Sequence, residues 1–194
     1  MLPFDGLRII DLSEEIAGPY AAMLLAEQGA DVVKIELAGG DPGRRMPGFA
    51  VWNRSKTGAL CDFDSESDRS EVERLLSLAD VLVTSWIPGG APDGMEPEQV
   101  LSRHPRLIHL WMPPYGAKGP EANGFPDDAL VAAAAGLLMG QPATAGGPVY
   151  LTIPFASYGA AFLGAGAAAA ALLARERTGR GQRSKSHGSP ARSR

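Results

Sequence analysis

The sequence is poor in the residues that hold metals and disulfides. It has 194 residues with one cysteine, Cys61, and three histidines. A single cysteine excludes an internal disulfide and is typical of a reducing compartment. His104, His109 and His187 lack the spacing of a metal-binding pair, and no Cys-x-x-Cys motif occurs. We therefore expect no metal site. Since the N-terminus also lacks a basic region followed by a long apolar run, we expect a cytoplasmic protein.

Charged side chains are missing from a long internal part of the chain. Residues 129–174 contain no Asp, Glu, Lys, Arg or His, and residues 152–174 are the most apolar part of that stretch. This run is long enough to cross a bilayer, which takes about 20 apolar residues. Ala and Gly dominate it, however, and the strongly apolar residues that favour insertion are few. We therefore predict a closely packed core helix and no membrane association.

Basic residues are scarce before residue 175. Acidic residues exceed basic residues by ten up to that point, whereas basic residues exceed acidic ones by six after it. The end of the chain, residues 183–194, is rich in Ser and Arg, so it has little to bury. It could be an arm that binds nucleic acid or anionic lipid. No basic face with aromatic residues supports nucleic-acid binding elsewhere, so we predict a basic, disordered tail and no nucleic-acid partner.

Apolar strand patterns alternate with helix patterns over residues 1–182. The strand candidates are "LRIIDLS", "DVVKIEL", "GALCDF", "DVLVTSW" and "RLIHLWM", and the helix candidates between them are "AGPYAAMLLAEQGA", "DSESDRSEVERLLSLA" and "PEQVLSRHP". This alternation predicts an α/β fold with a doubly wound parallel sheet. Ligands of such sheets bind at the carboxyl ends of the strands. Those ends are the turn-rich segments 13–19, 36–45, 85–90 and 112–116. The first turn lacks a Gly-x-Gly-x-x-Gly motif, so a nicotinamide dinucleotide is not expected.

Five stretches together resemble one family of enzymes. They are "LRIIDLSEEIAGPYAAMLLAEQGADVVKIE", "NRSKTGALCDF", "DVLVTSWIPG", "HPRLIHLWMPPYGAKGP" and "RERTGRGQ". In order and spacing they resemble the class III CoA-transferases, a family that includes formyl-CoA and carnitine-CoA transferases and α-methylacyl-CoA racemases. The resemblance covers residues 2–182.

The resemblance implies a Rossmann-like large domain that binds coenzyme A or acyl-CoA as substrate. Family members move CoA between an acyl-CoA thioester and a carboxylic acid. A carboxylate nucleophile carries first the acyl group, as a mixed anhydride, and then CoA, as a thioester. Family members also form dimers of interlocked chains.

Eight residues stand at positions where the family contacts CoA. Two lie near the reacting thioester, three border the adenine and ribose, and three belong to a turn that lines the cofactor: Ile16 and Ala17; Cys61, Asp62 and Phe63; Ser85, Trp86 and Ile87. For Trp86 an equal alternative is a core anchor at the end of a strand.

The chain departs from the family at the catalytic position. The nucleophilic Asp of the family falls at Ser157, whose hydroxyl is un-ionised at neutral pH and has no His nearby to serve as base. We interpret Ser157 as the N-cap of the Ala-rich helix. Two cationic CoA contacts are replaced by Leu37 and Gly94. Asp127 and Asp128 stand where racemases have a His-Asp pair, and Asp128 is expected to have a structural role.

Three functional hypotheses follow for the chain, which is expected to stop before the small domain of the family. It could be a CoA-transferase with weak or absent activity, a possible pseudoenzyme. It could be a non-catalytic CoA-binding subunit of a longer homologue, or a remnant without activity. Because the Ala-rich helix would leave apolar surface exposed, a homo-oligomer or a hetero-oligomer with a longer homologue is expected.

Overall fold

The chain folds into alternating strands and helices. A computed structural model describes residues 1–140, 144 and 146–185. The elements are β1 (Arg8–Asp11), α1 (Ala17–Ala26), β2 (Asp31–Leu37), a 3-10 turn (Pro42–Arg45), α2 (Phe49–Trp52), β3 (Thr57–Cys61), α3 (Glu66–Ser77), β4 (Val81–Thr84), α4 (Pro97–Arg103), β5 (Ile108–Trp111), α5 (Asp128–Ala134), α6 (Phe155–Thr178) and β6 (Arg183–Lys185). All the strands and helices predicted from the sequence are present. The 3-10 turn, α2, α5 and β6 were not predicted.

The six strands form one parallel sheet in the order β3-β2-β1-β4-β5-β6. Ile9 on β1 is in register with Val32 on β2 and Val81 on β4, so these two strands flank β1. The chain order therefore reverses direction between β1 and β4, which is the position where open α/β sheets bind ligands. The predicted doubly wound α/β fold is confirmed.

Each face of the sheet is covered by helices. On one face, Ile9 and Val81 pack with residues of α1 and α6 in a single buried cluster. On the other face, Ile10 and Leu82 pack with residues of α3 and α4. Neighbouring strand residues point to opposite faces, and both faces are buried, so the strands read as continuous apolar runs.

Helix α6 is the Ala-rich helix, and one side of it lies in the core. Ala161 and Ala168 are fully buried. Gly164 leaves room for the side chain of Met112 after β5, since a Cβ atom there would lie 2.9 Å from Cε of Met112. The prediction of a core helix is confirmed by this packing. By length and composition alone the helix could also cross a membrane, and 39% of its apolar window is buried inside the protein.

Strand β6 lies at the edge of the sheet and includes the start of the predicted tail. Arg183 is in register with His109 on β5. The first three residues of the segment 183–194 therefore belong to the sheet, because their backbone groups pair with β5. Residues 186–194 lie outside the described residues, and for them the disordered tail stays a prediction.

Candidate active site

A cavity of about 330 Å³ lies at the carboxyl ends of β1, β4 and β5. Its walls come from the turns after these three strands and from the N-terminal ends of α1, α5 and α6. Three of the four segments predicted to bind ligand contribute most of these turns, and the fourth contributes Pro42. The lining residues are Glu14, Glu15, Ile16, Ala17, Pro42, Ser85, Trp86, Ile87, Gly90, Met112, Pro113, Pro114, Pro126, Asp127, Asp128, Val131, Ala156, Ser157 and Ala160.

The structure brings together six of the nine residues that were predicted to form the site. The six residues that line this cavity are Ile16, Ala17, Ser85, Trp86, Ile87 and Ser157. Trp86 also belongs to the buried cluster under α3 and α4 and is 8% exposed, so it is a core anchor at the end of β4, and its contact with CoA stays a prediction. Its carbonyl accepts a hydrogen bond of 2.8 Å from the indole N–H of Trp111.

The other three predicted residues, Cys61, Asp62 and Phe63, do not line this cavity. Cys61 is buried at the end of β3. Phe63 lines a second cavity of about 410 Å³, together with Arg69, Arg103 and Gly94. Both guanidinium groups are already bound, that of Arg69 to the carbonyl of Phe63 and that of Arg103 to Glu73 and to the carbonyl of Gly94.

A buried ion pair holds the turn that follows β1. The ammonium group of Lys34 lies 2.8 Å from Oδ2 of Asp41 and also donates to the carbonyl of Ser13. Oδ1 of Asp41 accepts the backbone N–H of Glu15 at 2.9 Å and that of Gly43 at 2.7 Å. Burial lowers the pKa of Lys34, but Asp11 and Asp41 outweigh it and hold that pKa above its usual value. The turn is thus fixed to the end of β2.

A second buried lysine joins β1 to the start of α1. Lys56 donates to Oδ2 of Asp11 at 2.8 Å, to the carbonyl of Pro19 at 2.7 Å and to Oδ1 of Asn53 at 2.9 Å. Burial acts to raise the pKa of Asp11, but the charges of Lys56 and Lys34 outweigh it and hold that pKa below its ordinary value. These contacts position the N-terminal end of α1, which forms one wall of the cavity.

Glu15 is a functional candidate that the sequence analysis missed. It lines the cavity and has a positive φ of 64°, a conformation that few non-glycine residues adopt. Burial raises its pKa to about 7, the carboxylates of Asp41, Asp127 and Glu14 act in the same direction, and Arg45 opposes them. The Glu14-Glu15 pair in the turn after the first strand was a usable signal, because two adjacent carboxylates at a strand end repel each other.

Ser157 lies in the cavity but is not the N-cap of α6, so that interpretation was wrong. Helix α6 begins at Phe155 with Pro154 at the N-cap, which makes Ser157 the third helical residue. Its backbone N–H donates to Oδ1 of Asp128 at 2.7 Å. Asp128 therefore supplies from α5 the acceptor that an N-cap side chain would supply. This is the structural role expected for Asp128.

Neither of the two histidines that the structure describes serves Ser157 as a base. His104 contacts Glu73, and His109 is buried on β5 with Nε2 2.8 Å from the hydroxyl of Thr84. Burial lowers the pKa of His109 to about 4. Within residues 1–140, 144 and 146–185, no group of three or more His, Cys, Asp or Glu side chains has the arrangement of a metal site.

Comparison with known proteins identifies the family. The family model described as CoA-transferase family III matches residues 4–185. A protein of Mycobacterium tuberculosis, named "Probable fatty acyl-CoA transferase Rv3272", is 34% identical over 189 residues, which are 91% of this chain and 48% of that protein. A protein of Chloroflexus aurantiacus, named "Succinyl-CoA--L-malate CoA-transferase alpha subunit", is 33% identical over 196 residues, covering 93% of this chain and 45% of that protein.

The fold agrees with this relationship. The crystal structure of Rv3272 from Mycobacterium tuberculosis superposes with a TM-score of 0.89 at 32% identity, covering 97% of this chain and 55% of that chain. The present chain thus spans about half the length of the relatives it matches. On the match of the family model over residues 4–185, the chain belongs to CoA-transferase family III.

Proposed function

We propose that the chain binds acyl-CoA with the thioester in the cavity at the ends of β1, β4 and β5, and that its own transfer of CoA is weak or absent. The observation that carries the proposal is that three separate segments of the chain meet at one cavity. Ile16 and Ala17, the 85–87 turn and Ser157 are far apart in sequence, yet all line one cavity. The family resemblance implies CoA contacts at the first two and the position of the nucleophile at the third.

The chemistry of the walls suits a thioester. Apolar side chains such as Met112, Val131 and Ala160 can pack against the pantetheine arm and a short acyl chain. Helix α1 begins at Ala17, and among the described residues no side chain caps its N-terminus. The first backbone N–H groups of a helix have no partner within the helix, so they are available to the thioester carbonyl oxygen.

Weak transfer is proposed because of the residue at position 157. The family mechanism needs a carboxylate that can carry an acyl group and then CoA. Ser157 lines the cavity without a histidine base, and the ester that it could form is a poorer acyl donor than an anhydride. Asp128 does not stand at the family's nucleophile position, and its Oδ1 already accepts the N–H of Ser157 at 2.7 Å.

A transfer assay with matched variants tests this proposal. Acetyl-CoA is incubated with propionate, and propionyl-CoA is measured for the wild-type chain, Ser157→Ala and Ser157→Asp. We expect all three to bind CoA, the first two to transfer at or near the background rate, and only the Asp variant to exceed it. Rapid transfer by the wild-type chain that Ser157→Ala abolishes would show that the serine is catalytic. Absence of CoA binding would contradict the proposal as a whole.

A second candidate is a non-catalytic subunit that acts with a longer homologue. The supporting observation is the outer side of α6, where Phe162 is 58% exposed and Leu163 69% exposed. Such exposed apolar side chains on one helix are typical of association surfaces. One relative is itself named an alpha subunit. Co-expression with a homologue that retains the nucleophilic Asp, followed by light scattering, tests this candidate; a monomer in both the presence and absence of the homologue would contradict it.

A further inference from the structure

The cavity contains a carboxylate that the family mechanism does not use. Glu15 lies in the turn between β1 and α1 and is half-buried in the cavity wall. Asp127 accepts the N–H groups at the start of α5, and Asp128 accepts the N–H of Ser157 at the start of α6. Among the described residues, the carboxylate of Glu15 makes no hydrogen bond. It is therefore available to a ligand or to water.

A buried framework holds Glu15 in place. Its backbone N–H donates to Asp41, which is itself paired with Lys34 at 2.8 Å. On the other side Gly43 lies so close that a Cβ atom there would be 2.9 Å from the carbonyl oxygen of Glu15. A non-glycine residue at positive φ is strained, and such strain is concentrated at functional sites. These contacts therefore fix the backbone of Glu15 in the wall of the cavity.

The charges around Glu15 favour proton exchange near neutral pH. Burial, Asp41, Asp127 and Glu14 raise its pKa to about 7, and Arg45 is the cation that opposes them. A group with a pKa near the working pH can both accept and return a proton efficiently. No Lys, Arg or His belongs to the set of described residues that lines the cavity. A carboxylate acceptor would therefore be repelled there, whereas a neutral water molecule would not.

We propose that Glu15 is the general base of a second activity in this cavity, the hydrolysis of the bound acyl-CoA thioester. This inference depends on the proposed function, because it requires acyl-CoA in the cavity. Glu15 takes a proton from water while the water oxygen bonds to the thioester carbonyl carbon. The backbone N–H groups at the start of α1 stabilise the resulting oxyanion. The C–S bond then breaks, and the CoA thiolate takes the proton from Glu15, which leaves a carboxylic acid and the CoA thiol.

The test uses the full chain with acetyl-CoA and butyryl-CoA between pH 5.5 and 8.5. Free CoA is measured by liquid chromatography, and binding of acyl-CoA is measured separately by calorimetry. We expect the hydrolysis rate to rise with pH and level off above an apparent pKa of about 7. Glu15→Gln keeps the shape but cannot accept the proton, so its rate should fall by roughly 10²–10⁴-fold while acyl-CoA still binds.

Two further variants separate catalysis from structure. Glu176→Gln removes an exposed carboxylate at the far end of α6 and should leave rate and pH profile unchanged. Glu14→Gln removes a charge that raises the pKa of Glu15, so its pH profile should shift to lower pH. A merely structural effect of Glu14→Gln would change the rate without moving the pH profile in this way.

The outcomes separate this inference from the proposed function. Binding of acyl-CoA without hydrolysis, or hydrolysis that Glu15→Gln leaves unchanged, would overturn the role of Glu15 and leave the proposed function standing. Trapping of a hydroxamate on Glu15 with hydroxylamine would show that Glu15 is a nucleophile, and it would overturn its role as general base. Absence of acyl-CoA binding in every variant would contradict the proposed function, and the inference with it.

Discussion

Replacing Asp128 with Ala should destabilise the protein, whereas replacing Ser157 should not. Asp128 Oδ1 accepts the N–H of Ser157 at 2.7 Å and thereby caps α6 from α5. Loss of a capping acceptor costs about 0.5–2 kcal/mol. Asp128 is also an acid in the first turn of α5, and such a charge contributes about 0.3–1 kcal/mol through the helix dipole. We therefore expect a free energy of unfolding lower by about 1–3 kcal/mol.

Thermal unfolding followed by circular dichroism measures this change. For a chain of this length each kcal/mol moves Tm by about 2–4 °C, so Asp128→Ala should lower Tm by roughly 2–12 °C. Ser157→Ala is the matched control, since it keeps the backbone N–H that Asp128 binds, and its effect should stay within about 0.5 kcal/mol. Asp128→Asn should lie between the two. If Ser157→Ala cost more than Asp128→Ala, the assignment of the cap would be refuted.

Three further predictions concern the site and its supports. Lys56→Met leaves Asp11 buried without its lysine partner, so it should lower the free energy of unfolding in urea by about 3–5 kcal/mol. Lys118 is exposed, and Lys118→Met should leave that free energy almost unchanged. Similar losses for the two variants would contradict the role of the buried pair. The raised pKa of Glu15 means that stability falls as pH rises from about 4.5 to about 7, so Glu15→Gln should be more stable than wild type at pH 8 and equal to it below pH 4.5. A melting temperature difference that does not change with pH would contradict this. Ser157→Asp, incubated with acetyl-CoA and hydroxylamine, should give a hydroxamate at residue 157 by mass spectrometry; a folded variant that binds CoA without forming it would show that the position is wrong.

The sheet could be predicted because its strands are buried on both faces. Continuous apolar runs such as that around Ile9 and Ile10 are needed when neighbouring side chains enter different cores. Strand β6 gave no such signal, since Arg183–Lys185 is polar and becomes a strand through backbone pairing with β5. Helix α5 lies mostly in the charge-free stretch, where no polar residues mark its outer face, and its boundaries therefore escaped prediction.

The sequence located the turns of the candidate site but did not reveal the contacts that form within it. The turns after β1, β4 and β5 could be located because strand ends of a parallel sheet share one edge. The importance of Glu15 depends on its positive φ and on its approach to Asp41 and Asp127, which only the folded chain creates. The N-cap interpretation of Ser157 failed because the actual acceptor, Asp128, comes from another helix.

The central claim is that acyl-CoA binds in the cavity between Ile16, Trp86 and Ser157. Calorimetric titration of the full chain with CoA and with acetyl-CoA tests it most directly. The family resemblance implies that Leu37 and Gly94 replace two cationic contacts. Each such contact is worth about 1.5–3 kcal/mol, so we expect a Kd of about tens of micromolar or weaker. Ala17→Phe, which fills the cavity, should abolish the heat of binding, and Glu176→Gln should not change it. Sub-micromolar affinity, or binding that Ala17→Phe leaves intact, would contradict the account.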